Sequence, residues 1–431
     1  MTAVRPDPDW LAARTLACAR DLRAAVSRSD LLRRRAGFGW EIRPASGSIL
    51  ASPRMGDWAP EPDYFHHWIR DAAIALSAVP LAIEADPEAG AFWRQAVRDH
   101  VDFSLHISDP DRRGPEVNPL KPATRPDFQR FLRPDAELAG LAGTRWLEEP
   151  RFVADGTPDL ENWSRPQDDG PALRAAGLMR LQDFLPEANG EKAETLIARD
   201  LAHVLAVAGR PAIGPWEEAP ARRTTFTLIS QWDALDRAAA RGQSGGDWRG
   251  AAEDLEALIA SAGDPESGGW RESIEAPEGR FDSATVLALL HAGRTSGPLA
   301  MHAPGTLSTV AALERTFAAL YPINRGRTVP AIGRWREDLY FDGNPWVPNT
   351  LGFAELHYHI AAGNGDRAAF DKADAWLCLI AEIAPDPAIP LPEQFDRSTG
   401  APLSCLALTW SAAAFLGASA ARRAALQAMA R

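Results

Sequence analysis

Two glutamates stand out as groups able to do acid–base chemistry: Glu217 in Pro215-Trp216-Glu217-Glu218-Ala219-Pro220, and Glu393 in Pro392-Glu393-Gln394-Phe395-Asp396-Arg397. Cleaving a glycosidic bond takes such a pair, one carboxyl giving a proton to the departing oxygen and the other activating water or attacking the sugar. Glu217 has an indole on one side and a second carboxylate on the other, two conditions that raise a carboxyl pKa toward the range a general acid needs. Adjacent surface glutamates, and a lone Glu before a Gly-containing turn, are ordinary solvated groups in most proteins. Neither segment therefore decides the chemistry alone.

Three further clusters gather groups that grip polar ligands. The first runs Asp63-Tyr64-Phe65-His66-His67-Trp68-Ile69-Arg70-Asp71, the second from Trp163-Ser164-Arg165-Pro166-Gln167 to Arg174, and the third from Gly333-Arg334-Trp335 through Tyr340 to Gly343-Asn344-Pro345-Trp346. Charged donors and acceptors make the stronger hydrogen bonds and fix orientation, while flat rings pack against the C–H faces of sugars. Asp71 would serve equally as an N-terminal helix charge, and capping accounts for the acidic residues of the second cluster. Capping does not account for Trp163 and Arg165 together.

Taken in chain order, from Tyr64 to the Trp410 of Leu408-Thr409-Trp410-Ser411 that follows the Glu393 segment, the five segments resemble the motifs of the glucoamylase family, glycoside hydrolase family 15. The resemblance implies an (α/α)₆ barrel and an inverting, exo-acting α-glucosidase that releases β-glucose from the non-reducing ends of α-glucan oligosaccharides. It casts Glu217 as the acid and Glu393 as the base, with Arg70, Asp71 and Arg334 binding the terminal glucose. Tyr64 and Trp68 would line that pocket, Trp163 and Glu218 would surround the leaving sugar, Tyr340 and Trp346 would be flanking aromatics, and Trp216 would also bind substrate. Gln394 and the Pro215 carbonyl would help hold the water.

The chain also departs from the family pattern. His66 and His67 occupy positions where a Tyr and a small hydroxyl residue are more usual, and Gly214, Ala219 and Pro220 replace polar neighbours of the acid. The histidines bear on the floor of the glucose pocket, and the changes beside the acid border the leaving-group site, so isomaltose or dextran fragments and trehalose stand as alternative substrates. A glucan-binding protein without activity is the alternative from another class.

The elements that must position these groups are helical. Leu307, Val310, Leu313, Phe317 and Leu320 recur at spacings of three and four, one face of a helix. Similar patterns cover Thr15 to Ser27, Asp71 to Glu84, Pro171 to Phe184, Glu191 to Ala208, Thr224 to Ala239 and Ala251 to Ala262. They continue over Ser283 to Ala292, Thr350 to Ala362, Arg367 to Ile383 and Leu406 to Met429. Strand signals are few and short. The pattern predicts an all-α fold in one domain over residues 1–431, with residues 1–30 a helical extension packed on the barrel. The connections Asp109 to Leu147 and Ile213 to Thr224 are long, as ligand-presenting loops often are.

Composition narrows the remaining possibilities. A net charge of −12 offers no footprint for nucleic acid or anionic lipid, and no segment has the apolar length of a membrane span. Fifteen Trp against four Tyr suits a carbohydrate partner. The stretch Met1 to Arg23 lacks a signal-peptide core, and three scattered Cys give neither a disulfide framework nor a zinc cluster, so a cytoplasmic protein is expected. No cofactor and no metal are expected. Adjacent His66 and His67 do not converge on one ion, and His357 and His359, two apart on a helix, read as structural.

Overall fold

Helices rich in Ala and Leu on every side are stable only when surrounded, and six helices of this chain meet that condition. In the computed structural model, residues 5–56, 61–185 and 190–431 are described, so the first four positions of the expected N-terminal extension lie outside it. The six are α2 (Ile69–Ser77), α6 (Asp169–Leu181), α8 (Thr225–Ala240), α10 (Ser283–Ala292), α12 (Val347–Asn364) and α14 (Thr409–Met429). Each packs on the next, and α14 returns to α2, which closes a ring. Their burial matches that position: α2 is buried from Ile69 to Leu76, and in α6 Arg180 is the one residue that is not.

Outside the ring lie α1 (Pro8–Arg23), α4 (Gly90–Ile107), α7 (Glu191–Val207), α9 (Trp248–Ala260), α11 (Pro304–Leu320) and α13 (Arg367–Ile383). These carry a single apolar stripe, as in α9, whose buried residues Trp248, Ala252, Leu255 and Ile259 recur every three or four positions. Six inner and six outer helices make an (α/α)₆ barrel. Helix α1 packs on α14 and takes the sixth outer place. It is fixed there by Arg14, fully buried, whose guanidinium donates to the carbonyls of Ala384, Asp386, Pro387 and Ile389 just beyond α13.

Two helices differ from the sequence expectation. The pattern over Asp71 to Glu84 divides at Ala78 into α2 and α3 (Val79–Ala85), because Pro80 supplies no N–H and disfavours helical geometry before it. Helix α4 has its apolar stripe, through Trp93, Ala96, Val97 and Val101, interrupted by His100 and Ser104, which lie on the same buried face and bond one another at 3.2 Å. Inner helices also approach closely. A Cβ on Gly170, at the start of α6, would stand 2.8 Å from the Ile69 side chain at the start of α2.

The strands form three antiparallel pairs: β1 (Arg33–Arg35) with β2 (Trp40–Ile42), β3 (His66–Trp68) with β4 (Arg151–Val153), and β5 (Gln394–Phe395) with β6 (Pro402–Leu403). The long connection after α4 contains the short α5 (Asp135–Ala139) and covers a small core of its own that includes Phe103, Leu120, Trp146 and Phe152. Buried ions brace it. Arg133 and Arg165 share Glu149, Arg165 and Arg151 share Asp159, and Arg35 bridges Asp63 and Glu161. Pairing of this kind is what lets charges remain in an interior. Among the described residues no helix is long and apolar enough to cross a membrane.

Candidate active site

The connections that precede the inner helices meet at one end of the ring. Trp68 stands immediately before α2, Trp346 before α12 and Leu408 before α14, and all three line a single cavity of about 410 Å³. The positive ends of those helix dipoles therefore face it. The same cavity is lined by Tyr64, Arg70, Asp71, Trp163, Trp216, Glu217, Glu218, Arg334, Tyr340 and Glu393. Every proposed site residue is thus brought together except Gln394. Gln394, the first residue of β5, does not line it and is fully buried, with neither amide atom hydrogen-bonded among the described residues.

Glu217 sits on a tight turn whose backbone is itself strained. Its N–H bonds the Gly214 carbonyl at 3.0 Å and its φ is 64°, a left-handed value that costs a non-glycine residue ~1–3 kcal/mol. A Cβ on Gly214 would stand 2.9 Å from the Thr224 Cγ2 atom, which explains why this neighbour of Glu217 carries no side chain. Four donors then converge on the carboxylate. Trp68 Nε1 (2.8 Å), Gln167 Nε2 (3.0 Å) and Arg70 Nη2 (3.5 Å) reach Oε1, and Trp163 Nε1 reaches Oε2 at 2.8 Å.

Glu393 is held by a different set. Tyr64 donates to Oε1 at 3.2 Å and also meets the Tyr340 hydroxyl at 2.7 Å, while Ser404 donates to Oε2. Glu393 is 2% exposed, and burial pushes its carboxyl up to about 7 against the pull of Ser404, Arg334 and Tyr64. Burial and the nearby Glu393 hold both phenols above their ordinary range, so they remain neutral donors. The Tyr64 and Trp68 rings, 5.4 Å apart and edge-on, link the two carboxyl environments.

Charged groups complete the wall. Arg70 is buried and donates to Gln167 (2.9 Å) and Asp169 (3.1 Å), and it lies 3.8 Å from Asp71. Burial drives the Asp71 carboxyl up to about 6, with Arg70 opposing and Glu217 adding to the rise. Arg334 is clamped by Asp338, donates to Glu218 at 3.0 Å, and lies within 5.4 Å of the rings of Trp216, Trp335, Tyr340 and Trp346. Trp216 donates to Asp282 at 2.7 Å and stacks on Trp410 at 6.5 Å. The result is a polar-rimmed indole cage.

A family model described as glycosyl hydrolases family 15 matches residues 137–420, more than half of the chain. This chain belongs to glycosyl hydrolases family 15. Relatives of the family-15 chain include Glucoamylase-1 of Schizophyllum commune, 26% identical over 89% of this chain and 70% of that protein. Glucoamylase P of Amorphotheca resinae is 28% identical over 86% of this chain and 64% of its own length, so the chain spans roughly two thirds of such relatives. The family 15 glucoamylase from Hypocrea jecorina superposes with a TM-score of 0.75 at 25% identity, covering 96% of this chain and 72% of that one.

Several members of the family-15 site are not evident from residue type. Gln167, Asp169, Asp282, Asp338 and Ser404 act through Glu217, Arg70, Trp216, Arg334 and Glu393, and only folding reveals those partners. Gln167 and Asp169 at least lie inside a quoted motif. Arg165, which capping left unexplained, belongs to the ion lattice under the Trp163 loop. The histidines differ from expectation in one respect: His66 does lie beside two carboxylates, Asp159 and Glu161, with possible ligand atoms within 4.8 Å. Arg35, Arg151 and Arg165 already pair those carboxylates, and a cation would have to displace that positive charge. His67 accepts from the Ile49 amide at 3.0 Å and His357 pairs with Glu314 at 3.1 Å.

Proposed function

We propose that this family-15 hydrolase is an inverting exo-acting α-glucosidase of the glucoamylase type, acting on short α-1,4-linked glucans, with the chain forming one catalytic domain. Glu217 gives its proton to the glycosidic oxygen as the C1–O bond breaks. A water attacks C1 from the opposite face and passes its proton to Glu393, so β-glucose leaves. Arg70, Asp71 and Arg334 hold hydroxyls of the terminal glucose, and the indole walls pack against its C–H faces. The observation that carries this reading is the meeting of two separately held carboxyls in one indole-lined cavity. Its size suits a disaccharide-scale ligand.

A second reading, cleavage of isomaltose-type α-1,6 bonds, draws on a smaller cavity of about 140 Å³ that shares Pro215 to Glu218 with the first. Trp335, Arg222, Glu272 and Arg280 line it, beside the acid, where a differently angled leaving sugar would fit. Initial rates on maltose, isomaltose and trehalose separate these substrates: the leading reading expects maltose to be cleaved fastest, and a preference for isomaltose or trehalose replaces it. Glu217→Gln and Glu393→Gln should each lower maltose turnover by about 100-fold or more. Unchanged turnover in either variant removes that residue from its role, and a parent protein that cleaves none of the three sugars leaves a glucan-binding protein.

A further inference from the structure

Each oxygen of Glu217 accepts an indole N–H, from Trp68 and from Trp163, and a buried cation lies against both of those rings. The guanidinium carbon of Arg151 is 3.7 Å from the Trp163 ring centroid and 4.9 Å from that of Trp68. Arg151 is 1% exposed and pairs directly across from Trp68 in the β3–β4 ladder, so the strand register itself delivers it. Asp159 fixes it, its Oδ2 accepting from Arg151 Nε at 2.9 Å and from Arg165 Nη2 at 2.7 Å. Arg151 does not line the cavity. Its contacts with the cavity wall are the two indole rings.

The face of an indole is electron-rich, and a desolvated cation against it withdraws density toward itself. That makes the ring N–H a stronger donor. Two such donors, one on each oxygen, favour the carboxylate that Glu217 becomes as its proton leaves. We propose that Arg151 is a positioning residue that, acting through Trp68 and Trp163, orients the two indole donors and strengthens Glu217 as a proton donor. The proposal rests on the reading of Glu217 as the acid.

Comparing maltose with α-glucosyl fluoride tests it, because fluoride departs with little need of a proton whereas the maltose leaving group needs one. Arg151→Met should lower kcat on maltose by about tenfold or more, with KM changed by less than about twofold, and lower turnover of the fluoride by less than about threefold. The alkaline limb of the maltose pH profile, where the donor has lost its proton, should move to higher pH. Arg151→Lys should recover part of the loss. The double variant R151M/D159N removes the cation with its counter-ion and should behave as R151M does, giving a second reading if R151M folds poorly.

Equal losses on the two substrates in the folded variants, with an unmoved alkaline limb, overturn the proposal and leave Arg151 a structural residue. Glu217→Gln serves as the reference. If it spares the fluoride and loses maltose while Arg151→Met affects both alike, the proposal fails and the acid assignment stands. If Glu217→Gln cleaves maltose normally, the acid assignment fails, and Arg151 falls with it.

Discussion

The base's task proposed for Glu393 falls on a group with an interior address. A base must be ionised, so activity should fall as pH drops through its pKa, which burial places at about 7. The acid limb of kcat/KM is therefore expected near neutrality. Ser404 donates to this carboxylate and lowers the value, so Ser404→Ala should shift that limb to higher pH, measured from kcat/KM on maltose between pH 5 and 8. The same burial has a stability consequence. A carboxyl raised from 4.5 to about 7 is protonated in the folded state where the unfolded chain is ionised, so its contribution to stability is lost as pH rises across that window. Glu393→Gln should match the parent near pH 4 and exceed it at pH 8 by up to about 3 kcal/mol in denaturant unfolding. At this scale the sequence shows residues whose types are unusual in company, such as Trp216-Glu217-Glu218 or Tyr64 to Asp71. It does not show Ser404 or Gln167, which are common polar types whose role comes from a partner 11 or 50 residues away. Arg151 reads as one arginine among many until the strand pairing sets it against Trp68.

The helices show which kinds of element can be read from a pattern. Ser283–Ala292 and Arg367–Ile383 begin and end where their periodicity does, because Asp282 and Asp366 cap them and Gly293 stops the first in a left-handed turn. Helix α4 is missed because polar His100 and Ser104 satisfy each other inside, which periodicity reads as interruption. Helix α1 depends on a contact no local pattern contains. Arg14 is the shared donor for four carbonyls beyond α13, so Arg14→Met removes four hydrogen bonds of a buried guanidinium at once and should destabilise the fold by ~1–3 kcal/mol. Chemical denaturation should register that loss, while kcat of the folded protein stays near the parent value, because α1 does not line the site. A parent-like midpoint would show that α1 is held by its apolar face alone. Gly170→Ala, which sets a methyl against Ile69 where α2 and α6 begin, should cost ~1–3 kcal/mol by overpacking.

Over the whole molecule, two sets of buried groups pull stability in opposite directions with pH. Burial raises Asp71 to about 6 and Asp282 and Glu393 to about 7, so their contributions fall as pH rises toward those values. Burial lowers His100 to about 4 and His291 to about 3, with His67 also well below 6.5, so theirs are complete above 6.5 and fall as pH drops. Between about pH 5 and 6.5 these slopes oppose one another, and Tm should vary less there than either set alone would make it. Asp282→Asn removes one falling contribution, and Tm of that variant should rise with pH across the window; curves parallel to the parent would refute this balance. The same ring that buries these groups sets both carboxyls around one cavity, and the roles proposed for them imply a product of inverted configuration. The most direct measurement follows the anomeric protons of glucose by NMR during the first minutes of maltose hydrolysis, before mutarotation. The account predicts β-glucose as the first product, and initial release of α-glucose would contradict the assignment of Glu217 and Glu393 as an inverting acid and base.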